Sequence, residues 1–310
     1  MTTAVDLFAG VGGSSTGLTQ AGYRVLLAAD HWPAAVEWHT RNHPQAEHWL
    51  QDLHQADFRR LPKHWLLSAS PSCVGHTRAR GAERPGHDAA RSTAWAVVSA
   101  AEAARPSAVV VENVPEFLSW ELYPAWHAAM STLGYEMQPH VVDAADLGVP
   151  QHRRRLYLVA RKWQRVRLSL AKCPHRGVGS VIRWDAGEWR PWSLRGRAAL
   201  RLHPLSPATV SRIEAGRDRW GERFTISYYG SEKGGRSIDA PCGTLTTRDR
   251  HAVIDGGRMR FLTVDEQRDI MGFPPDYLLP KERRLATHML GNAVCPPVMR
   301  AIAKALRDVA

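Results

Sequence analysis

Short apolar runs and amphipathic stretches alternate regularly over the first 160 residues. Thr3-Ala-Val-Asp-Leu-Phe8 is an apolar run that breaks into Ala9-Gly-Val-Gly-Gly-Ser-Ser15, and a helical stretch runs from Thr16 to Ala21. Tyr23–Ala29 reads as a second strand ending on Asp30, and Pro33 to about Asn42 as a helix. The alternation continues with strands over His64–Ser70, Ala108–Val111, His140–Asp143 and Arg155–Ala160, and helices over Ser92–Ala104 and 121–133. Strands alternating with helices imply a mostly parallel sheet covered on both faces. A strand, a glycine turn and a helix open a nucleotide-type α/β unit.

The pattern changes after Ala160. Residues 161–258 are rich in Arg, Trp, Gly and Pro with few clean helical periods, which predicts an irregular, β-leaning lobe. Helical periodicity returns near Leu262, and the last helix is expected from about Pro297 to Val309.

Charge follows the same boundary. Residues 1–150 hold 10 Lys+Arg against 15 Asp+Glu, a net of −5; residues 151–260 hold 24 against 9, a net of +15; residues 261–310 hold 7 against 6, a net of +1. The overall +11 therefore belongs to one internal segment, the footprint of a polyanion partner, nucleic acid first. Arg outnumbers Lys 35 to 6, so solvated arginine surface is the competing explanation. At 310 residues and 44% apolar, the chain is long enough and apolar enough to bury a large core. No stretch reaches the roughly 18 apolar residues of a membrane span. The N-terminal residues lack a signal-peptide pattern, and the cysteines at 73, 173, 242 and 295 form neither a disulfide framework nor a zinc pattern. A cytoplasmic monomer without a metal is the expectation.

Candidate chemistry sits where strands end. Glycines in the turn let a ligand approach the backbone, with a helix N-terminus facing it. Asp30 suits a ribose hydroxyl pair or an ordinary helix cap, and Asp52 falls at a third strand end. Cys73, in Ser70-Pro-Ser-Cys-Val-Gly75, is either a small buried residue or an exposed nucleophile. Glu112-Asn-Val114 ends a run of valines, and a carboxylate there needs a partner or a raised pKa. Arg153 and Arg155, at alternate positions, present two guanidiniums to an anion or else solvated surface.

Six motifs occur in one order: Asp6-Leu-Phe-Ala-Gly-Val-Gly-Gly13, Pro-Ser-Cys73, Glu112-Asn-Val114, Gln151-x-Arg-x-Arg155, Leu262-Thr-x-x-Glu266 with Gly-Phe-Pro274, and Gly291-Asn-Ala-Val294. The chain thereby resembles the cytosine-C5 DNA methyltransferase family from residue 3 to 300, except about 163–240. In that family this stretch is the variable target-recognition region. The resemblance implies an α/β, Rossmann-like S-adenosylmethionine-dependent methyltransferase fold with a smaller, irregular β-leaning target-recognition lobe. It implies a catalytic and cofactor-binding domain of 1–162 plus 286–310 and a small domain of 163–285.

Carried over residue by residue, Phe8, Gly10 and Gly12 would line the S-adenosylmethionine site. Asp30 would hold the ribose and Asp52 the adenine amino group, with His31 and Trp32 against the adenine. Asn292 and Ala293 would return to close the pocket. Cys73 would be the nucleophile and Glu112 the acid at the base, while Arg153 and Arg155 would order the site, Arg153 through the C2 carbonyl. Double-stranded DNA is the implied partner and a flipped-out cytosine the substrate. A tRNA cytosine and a catalytically silent DNA-binding relative are the alternatives. A Rossmann-type dehydrogenase would explain the glycine turn but not Pro-Ser-Cys or Gly-Asn-Ala-Val.

The chain departs from the family pattern at Ser72, where Pro-Pro-Cys-Gln is usual, and at Ala293, where Ser is usual. Loss of the ring at 72 predicts a looser nucleophile loop. Trp184, Trp189, Trp192, Trp220, Tyr228 and Tyr229 lie among the arginines of the lobe, suited to groove contacts or to the lobe's own core. The stretch from Gly75 to Gly86, with His76, Thr77, Arg78, Arg80 and Arg84, reads as a loop closing over the flipped base.

Overall fold

The computed structural model describes residues 1–72, 87–193, 205–228 and 233–308. Cys73, Tyr229 and the stretch from Gly75 to Gly86 lie outside the described residues. Seven strands form the larger sheet: β1 (Thr3–Leu7), β2 (Arg24–Asp30), β3 (Glu47–Leu50), β4 (Leu66–Ala69), β5 (Ala108–Asn113), β6 (Gln138–Asp143) and β7 (Arg154–Arg161). Their order is β3-β2-β1-β4-β5-β7-β6, and only β7 runs against its neighbours. The expected mostly parallel sheet is present.

Burial on both faces explains the unbroken apolar runs. Along β1, β4 and β5, Ala4, Leu66 and Ala108 enter one core cluster while Val5, Leu67 and Val109 enter the other. The first cluster is covered by α1 (Gly13–Gln20) and the alanine-rich C-terminal helix, the second by α3 (His87–Ala104) and α4 (Tyr123–Thr132). The C-terminal helix lies directly on α1 because Gly17 has no side chain; a Cβ there would stand 2.7 Å from Met299 Cβ. The remaining early helix, α2 (Pro33–Asn42), joins β2 to β3.

The lobe is more regular than its composition suggests. A five-stranded antiparallel sheet is built from β8 (Arg190–Pro191), β9 (Arg223–Ser227), β10 (Arg236–Ser237), β11 (His251–Asp255) and β12 (Arg258–Phe261), in the order β10-β9-β11-β12-β8. Against β9 packs a helix, α5 (Pro207–Trp220), that apolar periodicity did not reveal. Its buried face needs only Thr209, Ile213 and Gly216, too few apolar positions to signal a helix. The readable signal was the start: the Ser206 hydroxyl accepts the Thr209 N–H, and Pro207 opens the helix.

Many lobe arginines and tryptophans are spent on each other. Trp184 and Trp189 stack at 6.4 Å, with Arg223 over the first ring and Arg258 and Arg260 over the second. Arg223 and Arg258 share Asp255. Trp192 is buried and donates to the Gly256 carbonyl, and Tyr228 packs on Phe261. Trp220 remains partly exposed and donates to the Gly234 carbonyl.

Three further helices complete the fold: α6 (Val264–Met271), α7 (Arg283–Asn292) and α8 (Pro296–Asp308). Thr263 and Glu266 of the fifth motif form a reciprocal capping box at α6. Glu266 also takes both guanidinium nitrogens of Arg260, each at 2.7 Å, with both side chains essentially inaccessible. Burial opposes the Glu266 charge, but these bonds and the Arg183 and Thr263 amides outweigh it and hold the carboxyl below its usual range. Arg260→Met, which strands that carboxylate, is expected to cost about 3–5 kcal/mol in urea denaturation, and adding Glu266→Leu to restore most of it.

Candidate active site

The parallel strands deliver the candidate residues to one edge of the sheet. The carboxyl ends of β3, β2, β1, β4 and β5 stand side by side, the position where open α/β sheets bind ligands. Beyond β1, Phe8 (φ 58), Gly10 (φ 55) and Gly12 (φ 100) are left-handed, and Gly12 caps α1. A phenylalanine in that region costs roughly 1–2 kcal/mol, retained here where the chain must turn sharply. Nothing lies within 4 Å of a Cβ placed on Gly10, so the turn is open there.

Asp30 is buried at the end of β2 and accepts two backbone amides at 2.9 Å, from Gly10 of the turn and from Trp32. These bonds tie it to the glycine turn and steady the entry to α2, whose N-cap residue is Trp32 rather than Asp30. His31 is exposed, its Nδ1 3.4 Å from Asp30. Trp32 is partly buried and tilts on His288 of α7 at 5.1 Å. Gln51 donates to the Asp30 carbonyl, which sets the exposed Asp52 one residue further on; its carboxylate accepts the His54 N–H.

The C-terminal motif does return to the turn. A Cβ on Gly13 would collide with the Val294 carbonyl oxygen, so α1 starts in backbone contact with that segment. Asn292 is exposed and Ala293 buried beside it. Phe8, Gly10, Gly12, Asp30, His31 and Trp32 thus converge, with Asp52 adjoining and Asn292–Ala293 approaching from α7.

At the ends of β4 and β5 a second group assembles. Glu112 is buried, and Arg155 Nε stands 3.4 Å from its carboxylate. Burial raises the Glu112 pKa above the carboxylate range, with the charges of Arg155 and Arg153 opposing it. Asn113 donates to the Pro71 carbonyl at 3.1 Å and accepts the Val114 N–H at 2.8 Å, anchoring the approach to Cys73. The Ser72 N–H donates to Thr93 Oγ1 at 3.1 Å, a tether that proline cannot make. The chain is therefore held at Ser72, whereas the loop beyond it, for which loosening is expected from the missing ring, lies outside the described residues.

Arg153 does not point where the sequence suggested. Its buried guanidinium donates to the carbonyls of Leu245, Gly291 and Ala293 at 2.9–3.1 Å, all main-chain oxygens. The alternating positions diverge because Arg153 precedes β7 and turns into the junction with the lobe, whereas Arg155 stays beside Glu112. Gln151 joins the junction: its side chain accepts the Leu245 N–H at 2.7 Å. Asn113, Thr93 and Gln151 were not marked as site residues; two lie inside quoted motifs, but their partners are distant in sequence.

No group of three or more His, Cys, Asp or Glu suited to a metal ion occurs among the described residues, and no described helix is long and apolar enough to cross a membrane.

The strand order, the glycine turn and the acid ending β2 define a Rossmann-like methyltransferase fold of the S-adenosylmethionine-dependent class. The family model for C-5 cytosine-specific DNA methylases matches residues 2–177 and 200–308, and the chain belongs to that family. It is 25% identical over 307 residues to the Type II methyltransferase M.MspI of a Moraxella species, covering 97% of this chain and 69% of that one. With the Type II methyltransferase M.HgiDI of Herpetosiphon aurantiacus it shares 30% over 310 residues, covering 94% and 89%. The fold matches a crystal structure of Spodoptera frugiperda DNMT2 with a TM-score of 0.71 at 17% identity, over 99% of this chain and 100% of that one.

Because the Arg155 charge lowers the Glu112 pKa, Arg155→Gln is expected to move the Glu112 titration further upward, as read by carboxyl NMR.

Proposed function

We propose that the protein methylates C5 of cytosine in double-stranded DNA, using S-adenosylmethionine and a covalent adduct between Cys73 and C6 of a flipped-out base. The observation that carries this reading is the buried Glu112 beside Arg155, at the strand edge where Asn113 and Thr93 hold Pro71 and Ser72, the two residues before Cys73 in sequence. Membership of the cytosine methylase family and relatives named Type II methyltransferases support DNA as the substrate and a restriction-modification setting.

The cofactor-side residues fit S-adenosylmethionine: an open left-handed glycine turn, a carboxylate at the second strand end, and a partly buried indole. Phe8, Gly10 and Gly12 would hold the methionine end, Asp30 the ribose, and Asp52, His31 and Trp32 the adenine, with Asn292 and Ala293 closing the pocket. When bound, this cofactor supplies a methyl group on a positively charged sulfur.

Cytosine C5 is a poor nucleophile, and addition of the Cys73 thiolate to C6 makes it enamine-like. Negative charge then develops toward N3, where a protonated Glu112 would donate; desolvation favours the protonated carboxyl. Arg155, rather than Arg153, has the geometry to face the C2 carbonyl, since the Arg153 guanidinium is occupied by main-chain oxygens. After the methyl reaches C5, loss of the C5 proton and expulsion of the Cys73 thiolate restore the ring. A stacked base cannot offer C6 to a thiolate, which requires the flip.

The catalytic body of 1–162 plus 286–310 then faces a target lobe of 163–285. Arg248 and Arg250 follow the Thr244–Thr246 stretch that borders Arg153 and Gly291, a suitable place for phosphate contacts. A cytoplasmic monomer fits this role.

Methyl transfer from labelled S-adenosylmethionine is expected to duplex DNA and not to tRNA, with a covalent complex on DNA containing 5-fluorocytosine. Cys73→Ser should abolish both, and Glu112→Gln should slow transfer by about 10²–10⁴. Transfer to tRNA alone would replace the substrate, and absence of an adduct in the active wild type would refute the covalent route.

A further inference from the structure

Three histidines behind the glycine turn have no part in the chemistry above. His39 of α2 and His43, the residue that caps its C-terminus, are buried, and His48 of β3 is half-buried; ring centroids are 4.7 Å apart for His39–His43 and 4.9 Å for His39–His48. They pack directly under the turn, since a Cβ on Gly12 would lie 2.5 Å from the Tyr277 hydroxyl and 3.0 Å from His43 Nε2.

The hydroxyl groups determine which imidazole nitrogen carries hydrogen. Thr16 gives its hydroxyl proton to the Gly12 carbonyl at 2.7 Å, and Tyr277 gives its own to the Val11 carbonyl. Both oxygens then accept from His43 Nε2–H, which is 3.2 Å from each. Ser15 similarly donates to Asp6 Oδ2 at 2.7 Å and accepts from His39 Nε2–H at 3.0 Å; His39 Nδ1 accepts from His48 Nε2–H at 2.8 Å. Neutral imidazoles satisfy every one of these contacts, and the two carbonyls of the turn take their support from this cluster.

We propose that His43 is a positioning residue for the cofactor turn: with Tyr277 and Thr16 it fixes the Val11 and Gly12 carbonyls, and this support sets the affinity for the cofactor. The proposal rests on the reading that the Phe8–Gly12 turn holds S-adenosylmethionine.

Burial, aided by His48, pushes His43 down to about 4, and burial with the neighbouring imidazoles holds His39 well below its usual value. A histidine lowered from 6.5 contributes stability that is present above 6.5 and lost as pH falls toward 4. Asp6 of β1, with Asp30 adding to its burial, is pushed the other way, to about 7. Its protonation favours the folded form, so it opposes the acid loss. From the other elements, α1 brings only Ser15 and Thr16, β3 brings His48, and Tyr277 is pushed up to a phenol that stays protonated. Glu37 and Arg41 of α2 pair with each other at the surface, and Glu47 of β3 accepts from Trp49.

The test is calorimetric titration of the full chain with S-adenosylmethionine. His43→Gln should bind several-fold more weakly than the wild type. Tyr277→Phe should raise the cofactor Kd and KM several-fold with kcat unchanged, and it decides the matter if His43→Gln does not fold. An unchanged Kd in either variant would overturn the proposal. Absence of cofactor binding by the wild type would instead overturn the cofactor reading itself.

Discussion

A buried arginine needs a counter-ion or a dense set of carbonyls, and Arg153 has the second. Two of its three acceptors, the oxygens of Gly291 and Ala293, belong to the end of α7, where carbonyls lack intrahelical partners and the helix dipole is negative. The third, Leu245, lies within the lobe, between β10 and β11. One cation therefore satisfies a helix terminus and fixes the two chain segments that approach the sheet from outside it. Burial and the nearby Arg155 charge lower its pKa only to about 10, so it stays charged at neutral pH. Around it, His152 donates to the Cys242 carbonyl, Cys242 to that of Pro150, and Thr244 Oγ1 to that of His152. Gly291 admits the Thr246 backbone where any Cβ would collide with it. The C-terminal segment that meets Gly13 is thus held by the same residue that holds the lobe.

Dry surroundings shift the protonation of two carboxyls of the large sheet. Asp6 and Glu112 are both driven upward by burial, yet they differ in partners. Asp6 accepts from Ser15 and Ser68 and is sealed behind the turn, whereas Glu112 keeps Arg155 beside it and lies at the open edge. A carboxyl with a raised pKa is useful at the edge, where charge would develop on a substrate. Behind the turn the same physics serves to keep a polar cluster uncharged.

The periodicity of the first 160 residues made the sheet legible, because strands buried on both faces must be continuously apolar. Ordered motifs made the strand-end residues legible, since parallel strands bring their carboxyl ends to one edge whatever the loop lengths. The lobe was harder to read. Helix α5 buries Ile213 and Gly216 but carries three arginines among its 14 residues, so its sequence looks like loop until β9 is placed beneath it. Arg153 was misdirected because its position two residues from Arg155 implied a shared face, and nothing local shows that the strand begins only at Arg154. Nor does sequence separation reveal that Tyr277 touches Val11, 266 positions away.

The basic segment changes meaning most. A net charge of +15 over residues 151–260 suggested a continuous polyanion surface, but Arg183, Arg217, Arg223, Arg258 and Arg260 are all engaged by acids. Three of these also lie over tryptophan rings. Ion pairs cancel charge at a distance even when each is worth little to stability. On the proposed reading, the field that draws DNA comes from the remaining cations, Arg248 and Arg250 on the stretch after Leu245 among them. Phosphate contacts there would join the steering of DNA to the ordering of the site through one short piece of chain.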